Sequence, residues 1–168
     1  MSTPPWFERK LTFGLQKEML PLYLERLTGT RVRLEHKVKG IDDRILSEKF
    51  ENKWSVKQNI GHLAEVDEIN NRRIDEMLAG TPVMSPAVFE PKDYNPWSIE
   101  KVLDYFVETR IENLRKYKSL SPEALEKSSI HPRLKVPMTP VDLAWFDAEH
   151  DDHHLVKINE IIFNLTKI

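Results

Sequence analysis

The 168-residue chain contains no cysteine, which excludes disulfides, thiolate metal ligands and a cysteine nucleophile. Any metal it holds must therefore use histidine, carboxylate or water. The same absence fits a reducing compartment, and a cytoplasmic protein is the expectation. No apolar run approaches the roughly 18 residues of a membrane span. Residues 1–9 lack the basic-then-apolar order and the small-residue cleavage site of a signal peptide. No basic block occurs either: lysine and arginine are spread along a chain of net charge −2. Without a phosphate-backbone footprint, nucleic acid is not expected as a ligand. Only five glycines are present, and strand-like alternation is scarce.

What is there is 40 % hydrophobic and 31 % charged, the composition of a soluble globular protein. The length suits one domain over residues 1–168 with one substantial core. Four long stretches carry the 3.6-residue period of amphipathic helices.

The first covers residues 21–39. Pro21 suits the first turn, Leu24, Leu27, Arg31, Leu34 and Val38 form the predicted inner stripe, and Gly40 closes the end. Gly29 inside it costs about 1 kcal/mol relative to alanine. The second covers residues 55–79, and Ser55-Val56-Lys57-Gln58 has the form of a capping box, with Trp54 before it. Val56, Ile60, Leu63, Val66, Asn70, Ile74 and Met77 share its face.

The third covers residues 98–120, with Ile99, Val102, Phe106, Ile111 and Leu114 among its apolar residues. Ser121-Pro122-Glu123 reads as the cap of one short extra helix, and residues 128–138 as a loop. Thr139-Pro140-Val141-Asp142 then opens the fourth, with threonine as N-cap, proline at the first position and an acid in the first turn. It runs to about Thr166. The pattern predicts an all-α four-helix bundle.

A proline-rich linker over residues 80–97 (Pro82, Pro86, Pro91, Pro96) joins the second and third helices. A helix of about 25 residues is roughly 37 Å long, and about 11 extended residues span that length. The linker is longer. It permits a crossover that leaves those two helices parallel, in an up-down-down-up arrangement.

The feature around which the chain is organised is His150-Asp151-Asp152-His153-His154. Histidines four apart on a helix stand one above the other on one face. With about 100° per residue and His150 at zero, Leu143 and Ile161 fall near 20°, His154 near 40° and Ile158 near 80°. Both histidines lie in the apolar stripe, and His153, near −60°, lies at its flank. Two buried imidazoles need hydrogen-bond partners or a metal. His62, beside Leu63 on the second helix, can face them if the second and fourth helices are neighbours. Three neutral imidazoles leave coordination positions open, as a catalytic site does. Zinc, nickel, iron or manganese would suit them.

His36 and His131 are expected at surface or loop positions. A di-iron carboxylate bundle would need Glu-x-x-His on two helices. Asn59 and Asp147 stand three residues before His62 and His150 instead, so a mononuclear site is preferred.

Trp54-Ser55 leading to His62, together with the H-x-x-H-H form of residues 150–154, resembles the DinB/YfiT-like superfamily. The resemblance implies a four-helix bundle with a long crossover, one divalent metal ion held by His62, His150 and His154, and a homodimer. Members of that superfamily include thiol-dependent S-transferases, an isomerase using a low-molecular-weight thiol, and metal-dependent hydrolases. One departure is Lys157, where members commonly carry glutamine. It lies near −20° on the wheel, and we expect it to snorkel outward along its aliphatic stem. Asp147, near 60°, is either a solvated helix acid or a group that orients a ligand or acts as a base.

The expected function is that of a metal-dependent enzyme acting on a small molecule, an S-transferase or a hydrolase. Asp147 and Lys157 are the candidate catalytic residues. The alternatives are a non-catalytic metal-binding or stress-associated bundle and a protein-interaction module. Open coordination positions and a solvent channel would favour the enzyme.

Overall fold

Helix boundaries follow the caps. The computed structural model describes residues 4–51, 53–89 and 92–167. Residues 1–3 of the segment read for a signal peptide, and Pro91 of the linker, lie outside the described residues. The helices are α1 (Leu20–Val38), a short α2 (Asp43–Ser47), α3 (Val56–Leu78), α4 (Ile99–Lys118) and α5 (Pro140–Thr166). Ser55 Oγ accepts from the Gln58 amide at 3.1 Å while Gln58 Oε1 accepts from the Ser55 amide at 3.0 Å. Thr139 and Asp142 cap α5 in the same reciprocal way. Each such cap contributes about 1 kcal/mol.

Cross-helix pairs fix the directions. Arg26 reaches Glu149 and Lys37 reaches Asn159, so α1 and α5 run parallel. Asp67 meets Arg110 and Asp75 meets Lys116, so α3 and α4 also run parallel. Asn59 meets His154 and His62 lies against His150, which together set α3 antiparallel to α5. The order is up-down-down-up, with the crossover between α3 and α4.

A polar belt divides the apolar core. At one end Leu27, Ile74, Met77 and Leu143 pack together; at the other, Leu34, Ile60, Phe106 and Ile158. Between them Arg110 donates through Nε to Asp67 at 2.9 Å, through Nη1 and Nη2 to Asp151 at 2.6 and 3.1 Å, and through Nη1 to the Leu27 carbonyl at 3.2 Å. Thr30 Oγ1 donates to Asp151 at 2.6 Å. These groups are buried, and satisfied pairing offsets their desolvation.

Three expectations change. Arg31 is exposed and pairs with Glu35 at 2.7 Å; Thr30 takes its place in the stripe, because a hydroxyl can enter the belt without bringing a further charge to Arg110, Asp67 and Asp151. Residues 128–138 are more than a loop. β1 (Ser129–Ile130) pairs antiparallel with β2 (Pro137–Met138), and Ile130 exchanges backbone bonds with Pro82 and Met84 at 2.9 and 3.0 Å. This stitches the start of the crossover to the hairpin. Strands of two residues are too short to show a period. The short helix after Ser121 is a single 3-10 turn, Ala124–Glu126.

Candidate metal centre

The belt continues on its α3–α5 side into histidine. His62 from α3 and His150 and His154 from α5 each offer one ring nitrogen, all within 4.8 Å of one another. His150 and His154 present their Nε2 atoms to each other at 3.1 Å. Nitrogens at about 2.0–2.1 Å from a tetrahedral ion stand about 3.4 Å apart. Small ring rotations therefore suffice, and three imidazoles so placed can bind a divalent ion.

Neighbours on α3 set the rings. His154 Nδ1 lies 2.7 Å from Asn59 Oδ1, and Asn59 Nδ2 donates to the Ser55 carbonyl at 2.8 Å. That second bond turns the amide oxygen toward the ring, so Nδ1 carries the proton and Nε2 keeps its lone pair. Beside His62, Glu65 Oε2 lies 3.9 Å from Nδ1, and Glu65 Oε1 accepts from the Tyr94 hydroxyl at 2.7 Å. Burial works to raise the Glu65 pKa, but His62 and Tyr94 outweigh it and hold the group ionised below the usual range. Tyr94 gets there by lying flat on Gly61, where a Cβ would meet its ring carbons at 2.4 Å.

Burial pushes the pKa values of His150 and His154 well below the ordinary histidine value, and the neighbouring imidazoles push the same way. Both are neutral at pH 7. Aromatic rings wall the group: Trp54 and Phe89 lie 4.7 and 4.6 Å from His62, and Trp6 lies 5.2 Å from His150, centroid to centroid.

Two cavities reach these rings. The first, about 470 Å³, touches His62 and His150 and is lined also by Phe146, Arg73, Asp147 and His131. The second, about 620 Å³, touches His154 and is lined by Trp54, Asn59, His153, Lys157 and Glu160.

The other candidates are distributed as follows. His153 turns away from the three, accepting from Arg9 Nη2 at 2.7 Å, and burial with the Arg9 charge lowers its pKa to about 4. Lys157 lines the second cavity, and its Nζ donates to Glu160 at 2.8 Å. Asp147 is no solvated acid: it is 1 % exposed, and neither carboxylate oxygen has a hydrogen-bond partner. Burial raises its pKa far above the usual carboxylate range despite the nearby Arg110 charge. Asp151, which stands between the histidines in sequence, is one of the two carboxylates that Arg110 holds in the polar belt. His36 is exposed as expected. His131 is not a surface residue; it is buried in the wall of the first cavity.

A family model of the DinB superfamily matches residues 26–158. The chain belongs to the DinB superfamily. Similar folds include YfiT from Bacillus subtilis, described as a probable metal-dependent hydrolase with an unusual four-helix bundle topology. It is 21 % identical at a TM-score of 0.80, with 94 % of each chain covered. TT2238, a four-helix bundle protein, is 20 % identical at 0.64, over 83 % of this chain and 97 % of its own. The mycothiol-dependent maleylpyruvate isomerase is 10 % identical at 0.66, over 93 % of this chain but only 63 % of its own. At these identities the likeness is one of fold. No curated protein matches the chain.

Asn59, Glu65, Gly61, Arg73 and His131 were not among the candidates read from sequence. Asn59 and Glu65 carried a usable signal, standing one turn on either side of His62 on the same helix. Arg73 and His131 carried none, since only the crossover and hairpin bring His131 to α3.

Proposed function

We infer that the protein is a metal-dependent enzyme in which His62, His150 and His154 hold one divalent ion. The observation that carries this reading is the convergence of three imidazoles, with His150 and His154 kept neutral by burial, at a point that two cavities reach. A site closed for structural purposes would have no such openings. A divalent ion there would lower the pKa of a bound water or thiol toward neutrality. Asn59 orients the His154 ring through a hydrogen bond, Glu65 sets a carboxylate beside His62, and Trp54, Phe89 and Trp6 flank the group. Two cavities that reach different members of one histidine cluster, His62 and His150 from the first and His154 from the second, favour a two-substrate reaction, transfer of a thiol to a small electrophile, over hydrolysis.

The thiol would be a low-molecular-weight one, in a cytoplasmic setting where thiols stay reduced. Among the described residues no helix is long and apolar enough to cross a membrane. The family resemblance extends the reading to a homodimer, which sedimentation at several concentrations would test.

Metal analysis of purified protein should give about one divalent ion per chain, and His150→Ala should abolish it. Full occupancy in a His62→Ala/His154→Ala double variant would overturn the ligand set. Activity should appear when electrophiles are paired with several low-molecular-weight thiols, and be absent from an ester and amide panel. Failure of every pairing with metal present would leave a non-catalytic metal protein.

A further inference from the structure

Arg73 sits on α3 three residues beyond Asn70 and is 5 % exposed. Its side chain lines the first cavity. Its Nε has no hydrogen-bond partner, and Nη2 reaches only the Ser85 carbonyl, at 3.5 Å. No carboxylate pairs with it among the described residues: Glu76, on the same turn, is taken by the Ser85 amide at 2.8 Å and by the Ser85 hydroxyl. Burial accordingly pulls the Arg73 pKa below the ordinary arginine value, and Glu76 offsets this only in part. A buried guanidinium left in this condition is costly unless a ligand completes it.

The surroundings are those of a receiving site for an anion. His131 accepts at Nδ1 from the Arg133 and Leu134 amides at 3.3 and 3.1 Å, so its proton lies on Nε2. Its pKa is lowered to about 4, by burial first and then by the charges of Arg73 and Arg133. Arg133 stands at the same cavity with its guanidinium 3.5 Å from the Phe7 ring centroid. Among the described residues Asp147 is the one carboxyl in the lining, and burial raises its pKa well above the usual carboxylate range. Apart from Asn70 and the histidines His62 and His150, the rest of the wall is apolar, with Trp6, Ile69, Pro86, Phe89 and Phe146 in it. A volume of about 470 Å³ lies in the range of small-molecule sites.

We propose that the first cavity binds an organic acid, its carboxylate on Arg73 and its apolar body between the aromatic walls, with the far end directed toward His62 and His150. Resting on the enzyme reading above, this names the class of one substrate. A carboxylate suits the fork of an arginine with a free Nε edge, since it accepts two parallel N–H bonds.

The probe is 3-phenylpropionate, titrated calorimetrically into metal-loaded protein, with 3-phenylpropionamide as its neutral match. The acid should bind at least tenfold more tightly than the amide. Arg73→Met should remove that preference, and Arg73→Lys should restore part of it. The preference should survive metal removal by chelation, because Arg73 rather than the ion supplies it. Equal affinity for acid and amide, no binding of the acid at millimolar concentration, or an unchanged preference in Arg73→Met would overturn the proposal. So would a preference that vanishes with the metal but not with Arg73; that result would leave the metal reading intact. An acid preference that depends on Arg73, in protein retaining no metal, would support the subsite while defeating the enzyme reading. Melting temperature separates a binding arginine from a structural one. Arg73→Met should melt no lower than wild type, and a fall of several degrees would assign Arg73 to the fold.

Discussion

Arg110 and Arg73 are both buried, at 3 % and 5 % exposure, on helices that pack side by side, and they are treated in opposite ways. Arg110 is saturated: two carboxylates and a backbone carbonyl take its donors, and one of those carboxylates is held in turn by Thr30. Arg73 has one long bond and a bare Nε. Two further residues with unsatisfied polar atoms, Asp147 and His150, line the same cavity as Arg73 and are also absent from the Arg110 pairings. Native interiors pair their buried polar groups. A saturated network therefore belongs to the fold, and a cluster left open beside a cavity belongs to ligand chemistry.

The contrast breaks most sharply at Arg110. Arg110→Met strands Asp67 and Asp151 without a counter-charge, and should cost about 3–5 kcal/mol in urea or guanidinium unfolding. A cost below about 1 kcal/mol would remove the distinction between the two arginines.

Gly61 tests the support of the metal centre from outside. An added methyl must displace the Tyr94 ring, and overpacking of this kind costs about 1–3 kcal/mol. The better helix propensity of alanine returns about 1 kcal/mol. Gly61→Ala should therefore lower stability slightly and release Tyr94 from Glu65, seen as a rise in tyrosine mobility by NMR. A more stable variant with Tyr94 unmoved would contradict the packing argument.

Asn59 probes the same centre from within. Losing the partner that fixes the His154 tautomer should weaken metal affinity about 10–100-fold, read by competition with a chromogenic chelator. Asn59→Asp keeps an acceptor and should retain most of the affinity. Equal affinities in Asn59→Ala and wild type would show that the amide does not set the ring.

Four helices, their caps and the crossover were legible because each rests on local chemistry: a 3.6-residue period, Ser55 and Thr139 as caps, and a linker longer than a helix. The histidine pair was legible for the same reason, since residues 150 and 154 share one turn of one helix. His62 joined them only by supposing that α3 and α5 are neighbours. What stayed hidden depends on pairings distant in sequence. Thr30 replaces Arg31 because Asp151 and Arg110 wait opposite. His131 is buried because a hairpin of two-residue strands docks on the crossover. Asp147 looks like any helix acid until the bundle closes over it.

Asp147 also gives the smallest expected effect. Its folded pKa is raised while the unfolded carboxyl keeps its ordinary value of 3.8. Above that value the unfolded chain has lost a proton that the folded chain keeps. The group's contribution to stability is thus fully present below about pH 4 and is lost as pH rises toward its folded pKa. Asp67, raised to about 7 by burial against the Arg110 charge, acts with the same sign. Asp147→Asn removes this penalty while keeping the shape, and should raise the melting temperature at pH 8 by about 2–4 °C, or roughly 1 kcal/mol. The gain should shrink as pH falls toward 5. A loss at pH 8 that grows with pH would mean that Asp147 is ionised and held by a cation. Arg73 would then be paired, and the difference between the two arginines would close.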